Sequence, residues 1–294
     1  MASGRCPTGR CPNGRSAVSW QAWGVRTYGA RFDVNCSILF AELPLTARAA
    51  AAAACGFGGV EFWWPWPEAV PSDAAADAFV GSILDAGVQL VALNFHAGDL
   101  AGGERGILSH QARAAEFRRN IPACVEIARR TGCTRLNAPY GRRLAGVDQD
   151  AQDAIAIANL RLAAEAADRV GASVLVEAIN SVDTPGFPVD TSARAMAVIG
   201  AVEAPNIGFL ADLYHLAKMG EDVAGTLHRY RDAIAHVQVA DPPGRGAPGT
   251  GTLEFEPLFA QLALDGYNGW VGLEYVPSDA SDSARSFGWL RARP

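Results

Sequence analysis

The chain has 294 residues, of which 49% are hydrophobic, and it carries a formal net charge of −6. This length and apolar fraction are sufficient to bury a large core. The acidic balance argues against a nucleic-acid partner, because nucleic-acid-binding proteins concentrate Lys and Arg on one face, and no uninterrupted apolar stretch reaches the ~18 residues of a membrane span.

The first 30 residues have the composition of a flexible extension. They contain several Arg but no acidic residue, and the spacing of Gly and Pro cannot sustain a helix. That spacing also disrupts the amphipathic helix of a transit peptide, so a targeting signal is the weaker interpretation. We therefore predict a flexible extension over residues 1–30 and one folded domain over residues 31–294.

Eight short apolar or β-branched runs follow, and each is a predicted strand. They are residues 33–39, 58–64, 87–95, 133–139, 172–180, 206–214, 233–241 and 268–276. Segments with helical periodicity lie between them, for example residues 46–57, 72–87, 110–132 and 150–171. Glycines that suit the left-handed position after a helix end several of these segments, namely Gly56, Gly87, Gly132 and Gly171. Eight βα units over about 250 residues predict an α/β fold, a single-domain (β/α)₈ TIM barrel, with a doubly wound open sheet as the alternative.

The cysteines give no sign of a metal or disulfide framework. Six are present and they do not form a paired C-x-x-C motif. We therefore expect neither a zinc site nor disulfides, and a reducing, cytoplasmic location.

Polar side chains stand at the ends of the last four predicted strands. They are Glu177, Asp212, Gln238 and Glu274, at intervals of 35, 26 and 36 residues, which are close to the length of one βα unit. Because catalytic groups of a barrel project from the carboxyl ends of its strands, we expect these four to converge above the barrel mouth. Their oxygen atoms would form a cage for a hard divalent cation such as Mg²⁺ or Mn²⁺. For each residue alone, the alternative is a helix cap or a carboxylate that faces solvent.

Several segments carry recognisable motifs. They are CGFGGVEFWWPW (55–66), AGDLAGGERG (97–106), VEAIN and DTPGF (176–180 and 183–187), DLYH (212–215), HVQVAD and RGAPGTG (236–241 and 245–251) and YNGWVGLEYVP (267–277). As a set they resemble the hydroxypyruvate isomerase family, within the xylose-isomerase-like barrel superfamily. The resemblance implies an enzyme that interconverts an α-hydroxy aldehyde and an α-hydroxy ketone, with Glu177 and Glu274 as proton donor and acceptor. It also implies that Glu177, Asp212, Gln238 and Glu274 match the metal-binding positions of metal-containing relatives.

This reaction accounts for the residue types. Isomerisation removes a proton from the carbon beside a carbonyl and returns a proton to the adjacent carbon, and two carboxylates on opposite sides of the substrate can perform both transfers. A divalent cation would stabilise the enediolate intermediate by several kcal/mol. It would also neutralise a buried carboxylate such as that of Glu177.

The expected substrate is a small hydroxy-oxo acid, and the leading reaction is hydroxypyruvate to tartronate semialdehyde. A 2-oxo-tetronate isomerase and a ketose 3-epimerase are alternatives on the same site, and a barrel that only binds a sugar acid is the non-enzyme alternative. Gln238 favours the isomerase, because 3-epimerases of the superfamily typically carry His there. A multi-zinc endonuclease of this architecture is disfavoured, because it needs many His ligands and the chain has five His. Relatives often form dimers, so a homodimer is an open alternative to a monomer.

Loop residues near the strand ends are candidates for substrate binding. Arg245 lies in a loop rich in Gly and Pro, where its guanidinium would form bidentate hydrogen bonds with a substrate carboxylate. His215 would bind a substrate oxygen or orient a ligand, and a packed loop histidine is the equal alternative. Glu104 and Arg105 would belong to a loop that closes over the site, with a solvent-facing ion pair as the alternative.

The segment after the third strand departs from the family pattern. Many relatives carry a His-Asn pair where this chain has Leu93 and Asn94, and a Pro where it has His96. Since the imidazole has moved along the loop, Asn94 and His96 are candidate substrate contacts, and a loop role for His96 is the alternative.

Aromatic residues follow the second strand. Trp63, Trp64 and Trp66 would either wall the pocket or pack between subunits. Glu61, at the end of that strand, is interpreted as a supporting polar residue.

Overall fold

The computed structural model describes residues 29–291, and in that part of the chain eight parallel strands close into a barrel. Each strand pairs with the next along the chain, and the last pairs with the first. The strands are β1 (Arg31–Asn35), β2 (Gly59–Phe62), β3 (Gln89–Asn94), β4 (Arg135–Asn137), β5 (Ser173–Glu177), β6 (Ile207–Asp212), β7 (Ile234–Val239) and β8 (Trp270–Leu273). The predicted (β/α)₈ barrel is confirmed. The predicted flexible extension lies outside the described residues, apart from Gly29 and Ala30.

Helices connect the strands within the same described range. They are α1 (Leu45–Ala54), α2 (Asp73–Ala86), α3 (Ala114–Thr131), α4 (Gln149–Asp168), α5 (Ser192–Val202), α6 (Leu213–Lys218), α7 (Val223–Tyr230) and α8 (Phe255–Leu264), with 3₁₀ helices at Gln111–Arg113 and Ser283–Arg291. None of these helices combines the length and the apolar character needed to cross a membrane.

Local sequence sets the helix ends. Ser72 and Asp148 precede α2 and α4, and each side chain accepts a hydrogen bond from a backbone N–H of the first turn, which satisfies a donor that the helix itself cannot. Gly87 and Gly132 follow α2 and α3 with φ of 67° and 70°, a left-handed conformation that glycine adopts without steric cost. The glycine stops predicted from the sequence at these two positions are therefore confirmed.

The apolar core fills the layer between the barrel and the helices. Phe62 at the end of β2 packs edge-on against Phe79 of α2, with 5.0 Å between ring centroids. Phe95, directly after β3, packs against Phe117 of α3 at 5.5 Å. All four rings are buried, so large apolar contacts fix α2 and α3 to the barrel.

The first strand differs from its prediction, because it begins at Arg31 and ends at Asn35 rather than spanning residues 33–39. The Asn35 side-chain oxygen accepts a hydrogen bond from the backbone N–H of Ser37 at 2.9 Å. Its backbone carbonyl accepts from the N–H of Leu39, also at 2.9 Å. These two bonds turn the chain immediately after Asn35, as Asn side chains often do.

Candidate active site

Polar side chains form a ring at the carboxyl end of the barrel. The strand register sets Asn94 opposite Asn137 and Asp212 opposite Gln238, so these ends lie at matching heights. Seven strands contribute a member within one residue of their ends, namely Asn35, Asn94, Asn137, Glu177, Asp212, Gln238 and Glu274. The four residues predicted from the sequence therefore lie at the same end of the barrel, and three asparagines complete the ring.

Glu177 is buried at the end of β5. Its Oε2 accepts a hydrogen bond from Nδ2 of Asn137 at 2.8 Å, and its Oε1 lies 3.7 Å from Nε2 of His215. Burial, followed by the negative charges of Glu274 and Asp212, raises the pKa of Glu177 well above its usual value. A carboxyl with a raised pKa exchanges protons more readily near neutral pH.

Glu274 follows β8 and is held by three donors. Its Oε1 accepts from Nδ2 of Asn35 at 2.8 Å and from Nε1 of Trp63 at 2.6 Å. Its Oε2 accepts from Nη2 of Arg245 at 2.5 Å. Burial raises the pKa of Glu274 to about 8, although the Arg245 charge acts in the opposite direction. Both glutamates therefore combine a fixed orientation with a raised pKa.

Asp212 and Gln238 each leave one buried oxygen without a hydrogen-bond partner among the described residues. Asp212 caps α6, since its Oδ1 accepts from the backbone N–H of Tyr214 at 2.8 Å, but its Oδ2 has no donor. Nε2 of Gln238 donates to Oε1 of Glu61 at 2.7 Å, while its Oε1 has none. Buried oxygens of this kind are rare in proteins, and both are of the type that binds a hard divalent cation.

His215 lies in the first turn of α6. Its Nδ1 accepts a hydrogen bond from the backbone N–H of Asn180 at 3.3 Å, so the proton lies on Nε2. Nε2 lies 3.5 Å from Oδ2 of Asp212, on the same side as Glu177. Burial lowers the pKa of His215 to about 4, so this group offers a neutral N–H donor.

A cavity of about 160 Å³ lies above the glutamates. Six of the residues predicted to form the site line it, namely Asn94, Arg105, Glu177, His215, Arg245 and Glu274. Trp63 forms part of its wall. Trp64 and Trp66 instead pack against each other with 4.9 Å between ring centroids, and Trp66 packs on Phe79, so those two belong to the layer between barrel and helices.

Two of the predicted substrate-binding residues lie outside the lining of this cavity. Glu104 forms hydrogen bonds and an ion pair with Nη1 of Arg113 at 2.5 Å and 2.6 Å, and it accepts from the backbone N–H of Asp99. Nε2 of His96 lies 2.9 Å from Oε1 of Glu116. Glu104 thus binds the residue that precedes α3, and His96 lies against the first turn of α3.

Arg105 lines the cavity in a constrained orientation. Its Nη1 donates to the backbone carbonyls of Leu100 and Glu104 at 3.0 Å and 2.7 Å. Burial, and then the positive charges of Arg142 and Arg245, lower its pKa. The cavity therefore has a cationic side formed by loop arginines and an acidic side formed by strand ends.

A second cluster lies deeper in the barrel, and Glu61 is its only member that the sequence analysis singled out. Glu61 accepts hydrogen bonds from Nε2 of Gln238 and Nε2 of His236, each at 2.7 Å. Asp33 lies beside it with 0% exposure, and neither of its carboxylate oxygens has a hydrogen-bond partner in the described part of the chain. Residues i and i+2 of a strand face the same side. Asp33 lies two residues before Asn35 and His236 lies two before Gln238, so this spacing is the sequence signal that could have identified both.

The donor atoms fit a metal ion at the barrel mouth. Ligand atoms of Glu177, Asp212 and His215 lie within 4.8 Å of one another, and the unpaired side-chain oxygen of Gln238 adds a further hard donor. Such an oxygen-rich set suits a divalent cation. Asp33, Glu61 and His236 are the other group within this distance in the described residues.

Comparison with known proteins identifies similar chains. The family model described as xylose isomerase-like TIM barrel matches residues 49–293. A putative hydroxypyruvate isomerase of Streptomyces coelicolor is 53% identical, over 89% of this chain and 96% of its own length. The hydroxypyruvate isomerase of Escherichia coli is 35% identical over 86% and 96%, and a 2-oxo-tetronate isomerase of Cupriavidus necator is 36% identical over 89% and 97%.

Solved structures of other proteins are also similar to this chain. A crystal structure described as an AP endonuclease, family 2, from Brucella melitensis has a TM-score of 0.81 and 34% identity, and the match covers 90% of this chain and 100% of that one. An L-ribulose 3-epimerase has a TM-score of 0.69 at 22% identity, over 90% and 88% of the two chains, which is similarity of fold.

Proposed function

The chain is an isomerase that belongs to the hydroxypyruvate isomerase family of xylose isomerase-like TIM barrels, and we propose that it interconverts hydroxypyruvate and tartronate semialdehyde. The basis is the relatives named for hydroxypyruvate, together with a site suited to a small hydroxy-oxo acid. A 2-oxo-tetronate is the second candidate substrate, because a relative of 36% identity carries that activity in its name.

The observation that carries this proposal is the pair of buried glutamates beside one small cavity. Glu177 and Glu274 both line it, and the pKa of each is raised. One glutamate, as the carboxylate, takes the proton from the carbon beside the substrate carbonyl, which produces an enediolate, and a proton passes between the two substrate oxygens as the hydroxyl becomes the new carbonyl. The other returns a proton to the adjacent carbon, and each is oriented for this by asparagine, Asn137 for Glu177 and Asn35 for Glu274.

The negative charge of the enediolate requires stabilisation, because acid–base catalysis alone contributes only about 10²- to 10⁴-fold. His215 and Arg245 line the cavity, and the Nε2–H of the one and the guanidinium of the other would act on this charge. Glu177, Asp212, Gln238 and Glu274 would hold a divalent cation, with His215 beside them. When bound, Mg²⁺ or Mn²⁺ supplies Lewis-acid stabilisation to an oxyanion.

The size of the cavity favours a three- or four-carbon acid over a ketohexose. A volume of about 160 Å³ corresponds to about five water molecules, and it is below the range of most ligand sites. Hydroxypyruvate has seven non-hydrogen atoms, whereas a ketohexose has twelve. Arg105 would pair with the substrate carboxylate, since two carbonyls already fix its guanidinium at the cavity.

The test is a parallel assay of hydroxypyruvate, 2-oxo-tetronates and ketohexoses, each with and without EDTA. We expect turnover of hydroxypyruvate and a rise in its KM in Arg105→Gln. Turnover of 2-oxo-tetronates alone would move the assignment to the second candidate. Turnover of ketohexoses alone would refute both acids in favour of a 3-epimerase, and loss of activity in EDTA that Mg²⁺ or Mn²⁺ restores would support the cation.

A further inference from the structure

The guanidinium of Arg245 lies among the carboxylates expected to bind a metal. Its Nη2 is 2.5 Å from Oε2 of Glu274 and 3.8 Å from Oδ2 of Asp212. Its guanidinium carbon lies 5.4 Å from the centre of the Tyr214 ring, close enough for a cation–π contact. Glu274 on one side and the Tyr214 ring on the other therefore hold the guanidinium beside Oδ2 of Asp212, which has no hydrogen-bond partner among the described residues.

The loop that carries Arg245 is built to keep it there. The buried carboxylate of Asp241 accepts backbone N–H bonds from Gly249, Gly251 and Leu253 at 2.9, 2.8 and 3.0 Å. Asp241 also pairs with Gly246 through two backbone hydrogen bonds, of 2.8 and 3.1 Å. This rigid frame directs the side chain at residue 245 toward the barrel mouth.

The backbone of Arg245 adds a further constraint. Its φ is 55°, in the left-handed region that non-glycine residues rarely adopt. Its carbonyl accepts the backbone N–H of Val276 at 2.8 Å, which ties the loop to the segment after β8. Unfavourable backbone conformations of this kind persist where the surrounding structure fixes them, and they concentrate at functional sites.

A guanidinium and a divalent ion cannot share these oxygens without repulsion. Three carboxyl groups, those of Glu177, Asp212 and Glu274, act on the charge of Arg245. One resident cation already offsets part of their negative charge. A second cation within a few ångströms would be repelled by the first, and like charges at such distances interact strongly in a partly buried site.

We propose that Arg245 is the resident counter-cation of the acidic cluster and competes with a divalent ion for Asp212 and Glu274, so that removing its charge tightens metal binding. The inference rests on the proposed function for the location of the site. Metal binding is measured without substrate, so its failure leaves the isomerase assignment standing.

The experiment is a titration of the purified protein with Mn²⁺. Binding is measured by electron paramagnetic resonance, which detects the free ion, and by calorimetry. Arg245→Gln is expected to bind Mn²⁺ about tenfold or more tightly than the unchanged chain, within the usual range of coupling between two ligands. Arg245→Lys keeps the charge and is expected to remain close to the unchanged chain. Adding Asp212→Asn to Arg245→Gln is expected to abolish the gain.

The matched control is Arg105→Gln, which removes a cavity arginine that does not contact the carboxylates. An equal gain in Mn²⁺ affinity in Arg105→Gln and in Arg245→Gln would overturn the proposal, because loss of any positive charge near the cavity would then account for the effect. Equal Mn²⁺ affinities in the unchanged chain and in Arg245→Gln, with both folded by circular dichroism, would also overturn it.

Discussion

Replacing Glu177 by Gln removes a proton-transfer group and keeps the shape of the side chain. The amide oxygen can still accept from Nδ2 of Asn137, where the carboxylate accepts at 2.8 Å. The amide nitrogen then lies toward Nε2 of His215, which is 3.7 Å from the native oxygen and therefore tolerable. We expect a folded variant whose kcat falls by about 10²- to 10⁴-fold, or about 3–5 kcal/mol of transition-state stabilisation.

The assay is the proton NMR spectrum of hydroxypyruvate incubated with enzyme in D₂O, which reports both product and exchange of the substrate C–H. Glu165→Gln is the matched control and should retain full activity, because that glutamate is exposed on α4 and forms an ion pair with Arg169. If Glu177 and Glu274 divide the two transfers, one of the two Glu→Gln variants still exchanges the substrate proton although neither turns over. A kcat for Glu177→Gln within tenfold of the unchanged enzyme would refute this reasoning.

Other consequences can be measured directly. Because burial raises the pKa of Glu274 to about 8, its proton-donor form is lost above that pH and kcat/KM should fall; a flat profile from pH 7 to 10 would contradict this role. Since the folded pKa of Glu177 is raised, the stability contributed by its protonated form is complete below the unfolded pKa of about 4.3 and is lost as pH rises through the folded value. The free energy of unfolding of Glu177→Gln should therefore fall less from pH 4 to pH 8 than that of the unchanged chain. If urea unfolding at a series of pH values gives the same dependence on pH for both, that result would argue against the raised pKa. Asn137→Ala should reduce kcat by about tenfold to a hundredfold through loss of a hydrogen bond to a carboxylate, with an unchanged circular dichroism spectrum. Asp241→Ala should lower the free energy of unfolding by about 2 kcal/mol or more, because three backbone N–H groups lose their acceptor, and it should raise KM as Arg245 loses its support; an unchanged melting temperature would count against this account.

The barrel and its polar rim were readable from the sequence because both are local patterns. An apolar run that ends in Glu177 or Asp212 places that residue at the barrel mouth, because the parallel strands of a barrel present their carboxyl ends on one face. The same rule applied to the fourth strand would have identified Asn137. It would have missed Asn35, because the first strand ends there and not at residue 39 as predicted. Their task of donating to the two glutamates depends on which neighbour each amide faces, which spacing alone does not give.

Side-chain direction in the loops was the part that sequence could not supply. Glu104 and Arg105 are adjacent, yet Glu104 pairs with Arg113 while Arg105 lines the cavity. His96 lies beside Glu116, twenty residues further along the chain. The partners lie 9 and 20 residues away along the chain, just before and within the first turn of α3, and such contacts leave no periodic signal.

Asp33 gives the barrel a property unrelated to its mouth. Burial, followed by the charge of Glu61, raises the pKa of this carboxyl well above its usual value. The folded chain therefore keeps a proton that the unfolded chain releases to water over the interval between the two pKa values. In that interval, closing the barrel withdraws a proton from the buffer, and the calorimetric heat of unfolding includes the ionisation enthalpy of the buffer chosen.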